Sequence, residues 1–344
     1  RSIEPQVPFY QSNTGIPIAF ATRIPAAIII DHVRDQAWLV AEETFSDLLG
    51  EIQNDLQQSL SYQAPSLASG FISEEDPQIY LDHIQKTKQY IRDGDIFQAN
   101  LSRKWTIEFE RHCDPVALYH SLSQSNPAQF ASLVKYQDSY IISSSPERLI
   151  SVRNGVAQSR PIAGTHPRGE TKSQDQELSQ HLLAHPKEQA EHVMLIDLVR
   201  NDLGRFCQAG SIRVTEKMIL ETYEHVHHIV SNIEGRVEPG KTIADIVHAV
   251  FPGGTITGCP KVRCMEIISE LEQSARGAYT GSLGYIGHNG HLDLNILIRT
   301  LTYSGSQASF RAGGGIVHDS EPQRELMETR HKAKGMLNAI KVDA

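Results

Sequence analysis

The chain has 344 residues, 40% of them hydrophobic and 21% charged, with a formal net charge of −9. This composition is ordinary for a globular protein; the acidic balance without a Lys/Arg cluster argues against nucleic acid as a ligand, and no apolar run nears the roughly 20 residues of a membrane-spanning helix. Four cysteines with no Cys-x-x-Cys pair argue against a disulfide framework or structural zinc, and with no secretory pattern at the start a cytoplasmic protein is expected.

In chain order, Ala26–Asp31 and Gln36–Ala41 read as neighbouring strands across a turn, and residues 45–60 have helical spacing. Residues 61–77, rich in Ser, Ala, Gly and Pro, read as a linker. The opening reads as a loop inside a fold. Residues 1–75 are therefore expected to be the remnant of an N-terminal subdomain with its linker, and 76–344 the main domain. Residues 78–93 read as a helix ending at Gly94, a suitable C-cap. Strand alternation follows at 96–107, 129–134, 139–143, 149–152, 283–286, 294–303 and 307–312. Helices are predicted at 178–203, 242–250, 261–272 and 323–340. Many strands with clustered helices predict a large α+β fold around packed sheets.

Two stretches carry paired carboxylates. Glu188 and Glu191 are three apart, so a helix puts both on one face, and Glu325 and Glu328 repeat the spacing, with Lys332 one turn on. Taken alone, each pair could be a solvated helix face. Together, two helices with two carboxylates each could hold a hard divalent cation such as Mg²⁺, which takes oxygen ligands and keeps several waters. The second pair follows Ala312-Gly313-Gly314-Gly315-Ile316, read as a strand whose final glycines expose backbone N–H groups to a ligand.

Other polar clusters stand apart in the sequence. Phe251-Pro252-Gly253-Gly254-Thr255-Ile256-Thr257-Gly258-Cys259-Pro260-Lys261 is a Gly/Thr-rich loop leading into a helix, suited to anions but lacking the P-loop pattern. Pro161-Ile162-Ala163-Gly164-Thr165 reads as a short turn. In a strand His225 and His227 would share one face and His228 the other, with no third local ligand to make a zinc site, and one histidine here could serve as an acid or base. Glu147 follows a strand and Pro146. It could be a general acid if a dry site raises its pKa, or simply a salt-bridge partner.

These motifs together resemble the chorismate-utilising family, which contains the component I subunits of anthranilate and aminodeoxychorismate synthases and the isochorismate and salicylate synthases. The resemblance runs from about residue 76 to 340 and includes Gly94-Asp95-Ile96-Phe97-Gln98, Ser145-Pro146-Glu147-Arg148, residues 191–205, His227-His228-Ile229-Val230-Ser231, Ile298-Arg299-Thr300-Leu301 and residues 312–333. It implies a layered α/β sandwich of mostly antiparallel sheets with helices outside, and a chorismate-binding catalytic domain over 76–344. It implies Mg²⁺ held by Glu191 and Glu328, with Glu188 and Glu325 helping through water. Lys332 and the amides of Gly313, Gly314 and Gly315 would assist at the ring carboxylate. Tyr279 and Arg299 match the positions that hold the enolpyruvyl group, and Gly164 and Thr255 those that line the ring. Glu147 matches the general acid.

Gln98 stands where the water-using members resembling this chain carry a basic lysine. The resemblance therefore implies ammonia as nucleophile, supplied by a separate glutamine amidotransferase subunit. His228 matches a position used when anthranilate synthases eliminate pyruvate. Ala163 stands where many aminodeoxychorismate synthases carry a nucleophilic lysine, as it does in anthranilate synthases. The Phe251–Pro260 loop looks more like that of aminodeoxychorismate synthases, and the reading adopted is amination to aminodeoxychorismate. Anthranilate formation is the alternative, and a non-catalytic relative that only binds a partner is the alternative of another class.

Overall fold

The structure, a computed structural model, describes residues 4–8, 10–12, 14–59, 61–169, 171–222 and 226–340; the side chains of 165–167, 186, 187 and 226 are outside the description. The chain divides into two compact units, Gly15–Pro65, and Arg1–Thr14 with Ser66–Ala344. In the smaller unit β1 (Ala26–Asp31) pairs antiparallel with β2 (Gln36–Ala41), and α1 (Asp47–Gln58) follows. Asp31 closes the hairpin by accepting the backbone N–H of Val33 and Arg34.

The larger unit runs β3 (Gly70–Glu74), α2 (Pro77–Arg92), β4 (Gln98–Phe109), α3 (Pro115–Ser125), β5 (Phe130–Tyr136), β6 (Ser139–Ser145), β7 (Arg148–Arg153), β8 (Val156–Ser159), β9 (Ile162–Pro167), α4 (Lys172–Ala184) and α5 (Pro186–Gly204). It continues β10 (Arg213–Thr222), β11 (Val226–Arg236), α6 (Ile243–Val250), β12 (Gly258–Cys259), α7 (Lys261–Glu272), β13 (Gly284–Ile286), β14 (Leu292–Asn295), β15 (Thr300–Ser304), β16 (Gln307–Ile316) and α8 (Pro322–Ile340). The strands build two seven-stranded antiparallel sheets. One has the order β12-β4-β16-β15-β6-β5 with β3 on β4; the other has β10-β11-β8-β7-β14-β13 with β9 on β11. The expected α+β fold of antiparallel sheets and helices is what the chain forms.

Three apolar clusters hold the layers. Trp105, Ile107, Leu301 and Phe310 of the first sheet pack with Leu118 and Leu122 of α3 and Met336 and Ile340 of α8. Ile150, Val152 and Ile233 of the second sheet pack with Ile196 and Leu203 of α5 and Ile246 and Val250 of α6. Tyr80 and Ile84 of α2 meet Ile267 and Leu271 of α7 over Leu101 and Ile316.

Several elements differ from the sequence reading. The helix expected at 178–203 is two helices, broken at His185, because Pro186 cannot continue a helix but suits a first turn. The strand expected at 294–303 breaks over residues 296–299, where Arg299 takes a left-handed φ of 50°. The supposed linker at 61–77 contains β3, whose backbone pairs with β4. The turn expected at Pro161–Thr165 is the strand β9, paired with β11. Its register slips around Gly164 (φ 68°), so that Ala163 faces Ile229 and residue 165 faces His228. The glycines do not end a strand, since β16 continues to Ile316 with each glycine facing a β4 residue.

Candidate active site

The chain passes between the two sheets at 145–148, from β6 to β7, and at 296–299, from β14 to β15. These crossings are laced together: Ile296 N–H donates to the Glu147 carbonyl at 3.0 Å, and Ser144 N–H to the Arg299 carbonyl at 3.1 Å. Glu147 and Arg299 therefore sit at the seam. Glu147 is only 7% exposed and accepts the Thr255 hydroxyl at 2.9 Å. Burial pushes its pKa up to about 7 against the opposing pull of Thr255, Lys332 and Arg299. Burial also lowers the Arg299 pKa, with Glu147 opposing. None of the hydrogen bonds or ion pairs seen among the described residues uses the Arg299 guanidinium. Five donors held inside a protein call for an anion.

A glycine-lined strip lies along β16 and β4. A side chain at Gly314 would touch the carboxylates of Glu325 and Glu328 and the Lys332 ammonium at 3.5, 3.6 and 3.8 Å. At Gly315 it would lie 1.9 Å from the Gln98 amide, and at Gly313 it would strike the Leu101 carbonyl at 2.2 Å and the Tyr279 hydroxyl at 2.8 Å. Lys332 donates to the Gly313 carbonyl at 3.0 Å and pairs with Glu328 at 2.6 Å. Burial works against its charge, but the Glu328 and Glu325 carboxylates prevail and raise its pKa. Lys332 and Glu328 keep 45% and 51% of their side chains open to solvent. Gln98 is buried and donates to Glu191 at 3.4 Å.

The contacts close into a ring. Glu188 lies 2.9 Å from where a Gly164 side chain would be. His228 hydrogen-bonds the Gly164 backbone; burial and then Arg299 push its pKa down to about 4. Arg299 faces Glu147, which feels Lys332, and Lys332 leads back through Glu328 and the glycines to Gln98 and Glu191. The sequence-predicted residues thus surround one cleft. Among the described residues, no three His, Cys, Asp or Glu side chains converge as a ready metal cluster. The donor set still suits Mg²⁺: all four carboxylates are hard oxygen donors, Glu325 and Glu328 lie beside Gly314, Glu191 meets Gln98, which itself abuts Gly315, and Mg²⁺ usually takes only one or two carboxylates plus waters and substrate.

The glycines give a paired expectation. Gly313→Ala drives a methyl into backbone of the adjacent strand and should destabilise the fold by about 1–3 kcal/mol. Gly315→Ala meets only the Gln98 side chain, so it should lower activity with a smaller loss of Tm. Thermal melts and turnover of the two variants check this.

Other supports were not legible in the sequence. Buried Glu272 accepts Ser102 N–H and hydroxyl, Arg276 and Arg311. Arg276 lies over the Tyr279 ring at 5.6 Å, so this network backs Tyr279. His227 is taken by Asp175 at 2.8 Å and Thr222 at 2.9 Å, which leaves His228 as the cleft imidazole; His225 lies outside the described residues. The Glu272–Arg276 spacing is local, but Ser102 and Arg311 reach Glu272 from far off in the chain.

A family model described as chorismate binding enzyme matches residues 8–338. The chain is 43% identical over 326 residues to an anthranilate synthase component I-like protein of Synechocystis sp., covering 94% of this chain and 67% of that protein. It is 42% identical over 325 residues to aminodeoxychorismate synthase component 1 of Bacillus subtilis, covering 91% and 69%. Among solved structures, anthranilate synthase component I from Streptococcus pneumoniae TIGR4 superposes with a TM-score of 0.82 at 33% identity, over 91% of this chain and 72% of that one.

Proposed function

The chain belongs to the chorismate-binding enzyme family, and we propose that its cleft aminates chorismate with ammonia, in the presence of Mg²⁺, to 4-amino-4-deoxychorismate. The observation that carries this reading is Gln98. Its amide is buried at the cleft wall beside Glu191, and an amide cannot take a proton from water at neutral pH. Ammonia is already a nucleophile and needs no such base.

Chorismate carries two carboxylates. The Arg299 guanidinium offers one a fork of donors, with Tyr279 alongside. Glu191 and Glu328, with Glu188 and Glu325 through water, would hold Mg²⁺, which when bound supplies positive charge to the other carboxylate. Lys332 and the Gly313–Gly315 backbone serve that same end. Glu147, near half protonated at pH 7, gives its proton to the leaving hydroxyl as the C–O bond breaks. The C–N bond forms and the new amine releases a proton. Thr255 fixes the Glu147 carboxyl through its hydroxyl. The Phe251–Pro260 loop, which resembles that of aminodeoxychorismate synthases, favours the product that keeps its enolpyruvyl group over anthranilate.

One observation favours a second reading, anthranilate formation. Position 163 is alanine, with no amine for the covalent route that the resemblance links to many aminodeoxychorismate synthases. We also propose a cytoplasmic enzyme supplied by a separate glutamine amidotransferase subunit; isolated chain that uses glutamine as well as ammonium would overturn that partner. Chorismate, Mg²⁺ and ammonium are incubated with the protein, with and without aminodeoxychorismate lyase. 4-Aminobenzoate only when lyase is present is the expected result. Fluorescent anthranilate without lyase would replace the first reading by the second, and no loss of chorismate would leave a binding protein.

A further inference from the structure

A cavity of about 20 Å³ is lined by Glu147, Thr255, Ser159, Val199, Asp202 and Leu203, among others. That is room for one water with several polar neighbours. Two acidic residues thus line one small void, Glu147 at the sheet crossing and Asp202 near the end of α5. Asp202 is 9% exposed as a residue and pairs with Lys261 at 2.8 Å. Lys261 also reaches the carbonyls of Ala249 and Val250 at 3.5 and 3.4 Å, at the last turn of α6. Each partner of the pair keeps 13% of its side chain open.

We propose that Asp202 and Lys261 return a proton to Glu147 through a single water in this cavity, forming a route from solvent. The proposal rests on the amination reading. Once Glu147 has protonated the leaving hydroxyl, bound product covers its cleft side. The Glu147 carboxylate then takes a proton from the cavity water, and that water takes the proton held between Lys261 and Asp202. The proton released by the new amine enters solvent, and solvent restores the pair, so the cycle balances without another reactant. Asp202 faces Lys261, Arg205 and Cys259; burial raises its pKa against Lys261 and Arg205. Glu147 faces Lys332 and Arg299, and Arg148 at the cavity wall is engaged by Asp293. Asp202 touches no substrate and acts only through Glu147.

The test compares Asp202→Asn, which removes the proton carrier, with Val199→Ile, which pushes a methyl into the void and leaves both carboxylates. Each should lower kcat about tenfold with KM for chorismate within twofold of wild type. The solvent deuterium isotope effect on kcat should rise. A structural defect alone would not raise it. Wild-type kcat and isotope effect in either variant, or a loss of kcat without a raised isotope effect, would overturn the route while leaving the amination reading intact. An inactive wild-type protein would overturn both.

Discussion

Glu147→Gln should lower kcat for amination by about a thousandfold, within the range for loss of a general acid, and should make the protein more stable at alkaline pH. Glutamine keeps the shape and can still meet Thr255, but it has no proton to give. In the wild type kcat/KM should fall as pH rises through about 7, where Glu147 ionises; the residual activity of the variant should lack that limb. The stability effect has a definite sign. The folded pKa of about 7 lies above the ordinary 4.5, so folding takes up a proton between those values. The stability given by the neutral carboxyl is fully present below 4.5 and lost as pH rises to about 7. At pH 8 the wild type bears the cost of a buried charge, on the order of 3 kcal/mol at about 1.4 kcal/mol per pH unit. Urea titrations at pH 4.5 and pH 8 should show the variant's advantage only at the higher pH. Unchanged kcat, or an equal stability difference at both pH values, would remove Glu147 from its role.

What the sequence revealed depended on how local the signal was. Residues 261–272 follow helical spacing into the helix Lys261–Glu272, and Ala26–Asp31 reads as the strand it forms, because neighbours in sequence supply the pattern. The bulge at Gly164 was invisible, since β9 becomes a strand only by lying against β11, more than 60 residues on. α3 was missed despite a usable signal: Asp114 accepts the Val116 N–H and Pro115 takes the first turn.

The residue types of the site were legible, but their circuit was not. Nothing near Glu147 in sequence announces Thr255 as its partner, and nothing near Lys332 announces the Gly313 carbonyl. Arg299 was legible only through its motif. Its left-handed backbone and its place at a sheet crossing come from two strands that belong to different sheets. Sequence spacing can put two carboxylates on one helix face, but only tertiary packing can set Glu191 against Gln98 and Glu328 beside Gly314.

Glu328→Gln should weaken Mg²⁺ binding by more than about 100-fold and lower kcat about a thousandfold, a loss of some 4 kcal/mol of transition-state stabilisation. The fold should survive. The Glu328–Lys332 pair is half open to solvent, and such pairs contribute at most about 1 kcal/mol. Glutamine can still accept from Lys332, but it brings no charge to a cation. Lys332 would lose the main influence that raises its pKa and turn to the Gly313 carbonyl. Glu325→Gln is the informative contrast. Glu325 is 8% exposed and is read as acting through water, so its loss should weaken Mg²⁺ binding about tenfold, as outer ligands do. Calorimetric titration of Mg²⁺ with each variant separates the two roles without relying on turnover. Equal weakening would make the carboxylates equivalent ligands, and Mg²⁺ affinity unchanged in Glu328→Gln would move the metal away from α8 altogether.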